Sequence, residues 1–147
     1  MKHNLRVLSH LRQDARIQLT TMSKLTGVPV STLFDWLKAG QGVITKHTCL
    51  LDFTKLGFHT RVNMSLKVEQ AHKDIVREYL LKHPSINSLY RINSGFDFMA
   101  EGIFMHIKDA EDFFEELETK FQILEKKTCF IVEDIKREGF LSDPALL

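Results

Sequence analysis

An α+β chain is predicted, with an N-terminal (winged) helix-turn-helix followed by a ferredoxin-like βαββαβ domain. Three observations carry that prediction. Up to about Gly57 the apolar residues recur at the 3.6-residue spacing of short helices. From Arg61 onward the pattern changes to strand alternation interrupted by two helical stretches. The charge divides at the same place. Through Gly57 eight Lys/Arg stand against three Asp/Glu, a net of +5, and the remainder holds 12 against 16, a net of −4. With 147 residues, 44% hydrophobic and 27% charged, the chain suits one medium domain or two small ones. The division read here is 1–57 and 58–147.

Leu5, Val7, Leu8 and Leu11 form the stripe of a first helix, which ends near Asp14. Leu19, Met22 and Leu25 form a second, stopped by Gly27 and Pro29. Val30, Leu33, Phe34 and Leu37 form a third, closed by Gly40 and Gly42. The second and third are joined by Thr26-Gly27-Val28-Pro29, and two short helices across a Gly-containing turn are the pattern of a DNA-binding helix-turn-helix. Residues 43–51 read as a strand or small wing, with Lys46 and His47 near its outer end.

In the second half, Val62, Met64, Leu66 and Val68 alternate with polar residues as a two-faced strand. A helix over about 69–82 follows, with Ala71, Ile75, Tyr79 and Leu80 inward, stopping before Pro84. Strands at 86–93 and 96–105 flank the Ser94-Gly95 turn. A helix at about 109–121 carries Ala110, Phe113, Phe114, Leu117 and Phe121 on one face and acids on the other, and a last strand covers 128–135. The order βαββαβ is that of the split βαβ fold. Phe96, Phe98 and Phe104 oppose Met99, Ile103 and Met105, so the sheet is apolar on both sides while two helices cover one. A homodimer or higher homo-oligomer formed through the sheets is therefore expected.

A basic head on an acidic body is the asymmetry of a chain whose one half meets a polyanion, here double-stranded DNA. Ser31 and Thr32, at the start of the third helix, suit phosphate or base contacts and would equally cap that helix. Asp35 repels phosphate but can accept from cytosine N4, and Lys38 lies one turn on. Thr20, Thr21 and Lys24 suit backbone contacts from the second helix, and Lys46 and His47 a flanking phosphate from the wing. Each lysine also reads as ordinary solvated charge. Trp36 is assigned to the core or a subunit contact.

Other classes are disfavoured. Cys49 and Cys129 form no CxxC, and His47, Cys49 and His59 have no metal-ligand spacing, so free thiols, a reducing compartment and no metal site are expected. No phosphate loop, nucleophile elbow or base–nucleophile pair is present, so neither cofactor nor catalysis is predicted. No apolar run approaches the roughly 18 residues of a membrane span, and a soluble cytoplasmic, nucleoid-associated protein is expected.

Several segments resemble the Lrp/AsnC family of transcription regulators over about Leu5 to Glu138. Asp14-Ala15-Arg16-Ile17 is similar to the family's D-[AG]-R-I before its second helix. Gly42-Val43-Ile44 and Leu51-Asp52-Phe53-Thr54-Lys55-Leu56-Gly57 resemble its G-[VF]-I and L-D-x-x-x-L-G segments, and Gly95-Phe96-Asp97 resembles its G-x-[YF]-D turn. The resemblance implies an operator-binding dimer or larger assembly, and an amino acid or similar effector held at subunit interfaces, with Gly95, Phe96 and Asp97 as candidate effector residues. A Gly turn lets backbone N–H groups approach a carboxylate and Asp97 could meet an ammonium; the same residues also suit a plain tight hairpin with a solvated or capping aspartate. Two departures stand out. The stretch from Gly27 to Ile44 is about two residues shorter than the family pattern, and the third helix has no arginine. These departures support an alternative, an amino-acid-sensing oligomeric module with weak or no DNA binding.

Overall fold

The structure, a computed structural model, describes residues 2–39 and 42–146. The chain groups into two compact units, one of 1–51 together with 135–147, the other of 52–134. Relative to the boundary expected after Gly57, residues 52–57 group with the sheet and 135–147 with the helices.

The first unit contains α1 (Lys2–Gln13), α2 (Leu19–Thr26) and α3 (Val30–Lys38). After α1 the Asp14 carboxylate accepts the Arg16 N–H at 2.8 Å, and the Asp14 carbonyl accepts the Ile17 N–H at 3.2 Å. The Asp-Ala-Arg-Ile segment is thus a side-chain-stabilised turn. Gly27 ends α2 at φ 74, its N–H donating to the Ser23 carbonyl at 2.8 Å. A residue without Cβ adopts that left-handed conformation at least cost. Pro29, with fixed φ and no N–H to satisfy, then leads into α3. The three helices meet through Val7, Met22 and Leu33, with Leu11, Ile17, Leu19, Val28 and Trp36 packed around them. Trp36 therefore belongs to this core. The tail adds a contact to the same unit: Arg12 donates to the Glu138 carboxylate at 2.9 Å and to its carbonyl at 3.0 Å.

Residues 43–51 are not the strand or wing expected of them. β-structure needs a ladder partner for its N–H and C=O groups, and the described residues of this unit contain no other strand. Gly40, expected to help close α3, lies outside the described residues; α3 ends at Lys38 with Ala39 as its cap.

The second unit holds β1 (Thr60–Val68), α4 (Lys73–Lys82), β2 (Ile86–Arg91), β3 (Phe98–Phe104), α5 (Ile107–Lys120) and β4 (Ile123–Phe130). The four strands form one antiparallel sheet in the order β2-β3-β1-β4. That is the ferredoxin-like arrangement expected of βαββαβ connectivity. Val62, Met64, Leu66 and Val68 of β1 and Phe98, Ala100 and Phe104 of β3 pack against Val76 and Leu80 of α4 and Ala110, Phe113, Phe114 and Leu117 of α5. Each such Val, Leu or Phe contributes about 1.5–3 kcal/mol on burial.

Three expectations are corrected here. The inward face of α4 is Val76 and Leu80 with half-buried Tyr79, whereas Ala71 is exposed and Ile75 is 51% exposed. A 3-10 turn, Gln70–His72, precedes the α-helix, with the Glu69 carboxylate accepting the Ala71 N–H, and it rotates the stripe by one residue. The last strand runs over Ile123–Phe130 rather than 128–135. α5 ends at Lys120 and the chain enters the sheet edge almost at once, pairing Ile123 with Val68 and Phe130 with Val62. The side of the sheet away from the helices is only partly apolar: Met99, Ile103 and Tyr90 share it with Arg61, Asn63, Ser65 and Lys67 of β1.

Candidate nucleic-acid interface

Leu33 is the buried residue of α3, and Trp36 and Leu37 flank it. At about 100° per residue, Ser31 and Asp35 fall opposite Leu33, with Lys38 and Phe34 to one side and Thr32 to the other. All five are exposed. The structure thus collects Ser31, Thr32, Asp35 and Lys38 on one outward surface of a nine-residue helix. Neither Ser31 nor Thr32 caps it: the N-cap position is Pro29, without a side-chain hydrogen bond. The hydroxyls sit in the first turn, where backbone N–H groups and the helix dipole favour an anion.

On α2, Met22 and Thr26 point inward and Thr20, Thr21 and Lys24 are exposed. Thr26 itself is internal: its hydroxyl donates to the Met22 carbonyl at 2.8 Å and accepts the Val28 N–H at 3.3 Å, fixing the turn between the two helices. Lys46 and His47 are exposed in the segment between Gly42 and Asp52, which forms no ladder.

Phe34, expected on the inward stripe of α3, instead has a ring that is 51% exposed, and Lys38 Nζ lies 5.9 Å from the ring centre. The signal was available in the wheel: Leu33 and Leu37 define the buried side, and Phe34 lies about 100° from the first of them.

Ser94 (φ 67) and Gly95 (φ 89) turn the chain between β2 and β3, both in the left-handed region that suits a hairpin. Phe96 and Asp97 are half-buried. Both Asp97 carboxylate oxygens are engaged, Oδ1 with Lys73 Nζ at 2.7 Å and Oδ2 with the Val68 N–H at 2.9 Å. The Asp97 N–H donates to the Leu66 carbonyl at 2.8 Å, and its carbonyl accepts the Ile92 N–H at 3.0 Å. The Lys73 ammonium, then the Val68 amide, hold this carboxyl below its usual range. Asp97 therefore joins the hairpin to the end of β1 and the start of α4, and an incoming ammonium would compete with Lys73. Lys73 and Val68 were not foreseen, because nothing local in the sequence ties residue 97 to either.

Among the described residues no group of three or more His, Cys, Asp or Glu could hold a metal ion. Cys49 and Cys129 are both unpaired and exposed. No described helix is long and apolar enough to cross a membrane.

Comparison with known proteins agrees with this architecture. No family model matches the chain. It is 26% identical over 109 residues to the HTH-type transcriptional regulator FL11 of Pyrococcus furiosus, covering 73% of this chain and 70% of that protein. The crystal structure of an AsnC family transcriptional regulator from Agrobacterium tumefaciens superposes with a TM-score of 0.81 at 19% identity, covering 92% of each chain. A transcriptional regulator of Neisseria meningitidis, solved as its L-Met complex, superposes with a TM-score of 0.82 at 17% identity, covering 93% of this chain and 92% of that one. Each of these similar proteins is a transcriptional regulator. The chain is a helix-turn-helix protein with the fold of the Lrp/AsnC transcriptional regulators, the family that its motifs resemble.

Proposed function

We propose that the chain is a sequence-specific DNA-binding transcriptional regulator of the Lrp/AsnC type, acting in the cytoplasm on the nucleoid. The observation that carries this reading is the outward surface of α3, where Ser31, Thr32, Asp35 and Lys38 stand clear of the core beside α2. In the major groove α3 reads base edges, while Thr20, Thr21, Lys24, Lys46 and His47 meet phosphates. The similar regulators support it. Two heads are carried by a homodimer or larger assembly through the helix-free side of the sheet, where exposed Tyr90 and half-buried Met99 are apolar contributors and Ile103 is already buried within the chain. Half-sites then lie about one helical turn, or a multiple of it, apart. The L-Met complex of a similar regulator supports an amino-acid effector beside Gly95, Phe96 and Asp97. Such a ligand acts only through its differential affinity for two assembly states.

The test is fluorescence anisotropy with genomic fragments selected by the purified protein, across a salt series. Affinity should fall steeply with salt as counterions are displaced. Absence of retained DNA at low salt would overturn the reading. The central Asp35 and the lack of arginine on α3 favour a second reading, an amino-acid-sensing oligomer without DNA binding. Its signature is an L-methionine-dependent change in oligomer size with no DNA retained.

A further inference from the structure

Phe34 has no structural reason to face outward. The head core closes on Val7, Met22 and Leu33 without it, and its ring is left 51% exposed on a nine-residue helix. Val30, one turn earlier on the same side, is also exposed. Together they make an apolar strip along the flank of the surface formed by Ser31, Asp35 and Lys38. Lys38, the sole cation of α3, lies 5.9 Å from the Phe34 ring centre, so its ammonium is drawn toward the ring face. α3 carries no arginine for the bidentate contact to guanine O6 and N7, and Lys38, the one cationic side chain on it that can donate to those atoms, is held beside the Phe34 ring.

The major groove offers one apolar group at its base edges, the C5-methyl of thymine. We propose that Phe34 is a specificity-determining residue that packs on a thymine methyl, with Asp35 beside it accepting from an adjacent cytosine N4. The half-site is then read as a pyrimidine step, by a methyl contact and a carboxylate, instead of through guanine. The inference rests on the DNA-binding reading above and adds the chemistry of the bases recognised.

The test uses the full chain and a duplex it selects from a random library. Each thymine is replaced in turn by deoxyuridine, which removes only the methyl. With wild-type protein, one thymine per half-site should be sensitive, affinity falling about 4-fold, the value of one buried methyl group. With Phe34→Ala the same replacement should have no effect, while the salt dependence stays that of wild type; Phe34→Leu should restore part of the sensitivity. Circular dichroism and size-exclusion chromatography of Phe34→Ala should match wild type, since the ring is outside the core. Equal uracil sensitivity in both proteins, or none in either, overturns the inference while DNA binding stands. Selection without any base preference does the same. A change in oligomer size on Phe34→Ala, with uracil sensitivity retained, assigns the ring to a protein contact. Failure to retain any DNA removes the parent reading and this one together.

Discussion

Lys73 Nζ lies 2.7 Å from Asp97 Oδ1, so the first residue of α4 is pinned to the hairpin loop that enters β3. The second oxygen of Asp97 holds the N–H of Val68, the last residue of β1. Replacing Asp97 with Ala should cost about 1–3 kcal/mol of unfolding free energy, because the Val68 amide loses its acceptor. Lys73→Met should cost only about 0–1 kcal/mol, being a partly exposed pair. The Asp97 carboxyl titrates below its unfolded value of 3.8, so its stabilisation is complete above that pH and disappears as the pH falls through the folded value. Urea unfolding of wild type and Asp97→Asn should therefore converge at acid pH.

Two glycines should fail on substitution for different reasons. A Cβ on Gly102 would stand 2.6 Å from the Phe104 ring and 3.2 Å from Met64 Cε, inside the packed core. Gly102→Ala should cost about 1–3 kcal/mol by overpacking, and Gly102→Asn more. Gly95 has open space around it but φ +89, so Gly95→Ala should cost about 1–2 kcal/mol through the backbone. Asn tolerates that conformation, so Gly95→Asn should cost less than Gly95→Ala. Thermal melts of the four variants check the opposite order at the two sites.

His83 stands edge-on to Phe113 at 4.7 Å, and its Nδ1 accepts the Ser85 N–H at 3.2 Å. Burial lowers its pKa below 6.5; Glu116 opposes the shift and Lys120 adds to it. A histidine kept neutral in the fold contributes fully above its unfolded pKa, and that contribution is lost as the pH drops through the folded value. Unfolding free energy of wild type should decline on acidification from pH 6.5, and His83→Gln should show a flatter profile.

Arg61 joins Asp134 at 2.7 Å to Glu101 at 3.6 Å on the helix-free side of the sheet. The Asp134 hydrogen bond is the main reason its pKa is raised. Arg61→Ala should cost about 1.5–3 kcal/mol, the range for hydrogen bonds to charged groups, and Arg61→Lys less, as one contact can be remade. Chemical denaturation resolves the difference.

On the head, Lys24→Ala and Lys46→Ala should each reduce the slope of log affinity against log salt by about 1, the signature of a lost phosphate contact. Lys82→Ala, on the exposed end of α4 in the other unit, serves as the comparison and should leave the slope unchanged.

The helices of the head were readable because Leu and Met spacing and a Gly-Pro turn all point to one register, and Met22 and Leu33 are buried as that spacing requires. The βαββαβ order was readable for the same reason in β1, where four apolar residues alternate without exception. Three features escaped. In α4, adjacent Ile75 and Val76 offer two equally apolar stripes, and the choice depends on the preceding Gln70–His72 turn. In β4, Glu125, Lys126 and Lys127 mask an edge strand, drawing the prediction to the apolar residues after it. Residues 43–51 have strand-like composition but no ladder partner among the described residues, which no local pattern reveals. At the candidate site the polar residues of α3 were legible, whereas the Lys73–Asp97 pair spans 24 residues of sequence and becomes visible only once the hairpin folds back on β1.

The compact unit built on α1–α3 also contains residues 135–147, and Arg12 and Glu138 are 126 positions apart. A ribosome delivers the three helices first and the segment carrying Glu138 long afterwards. The contiguous stretch 52–134 can close on itself as soon as it emerges. Of these two units, then, the one begun earlier in translation is the one completed later.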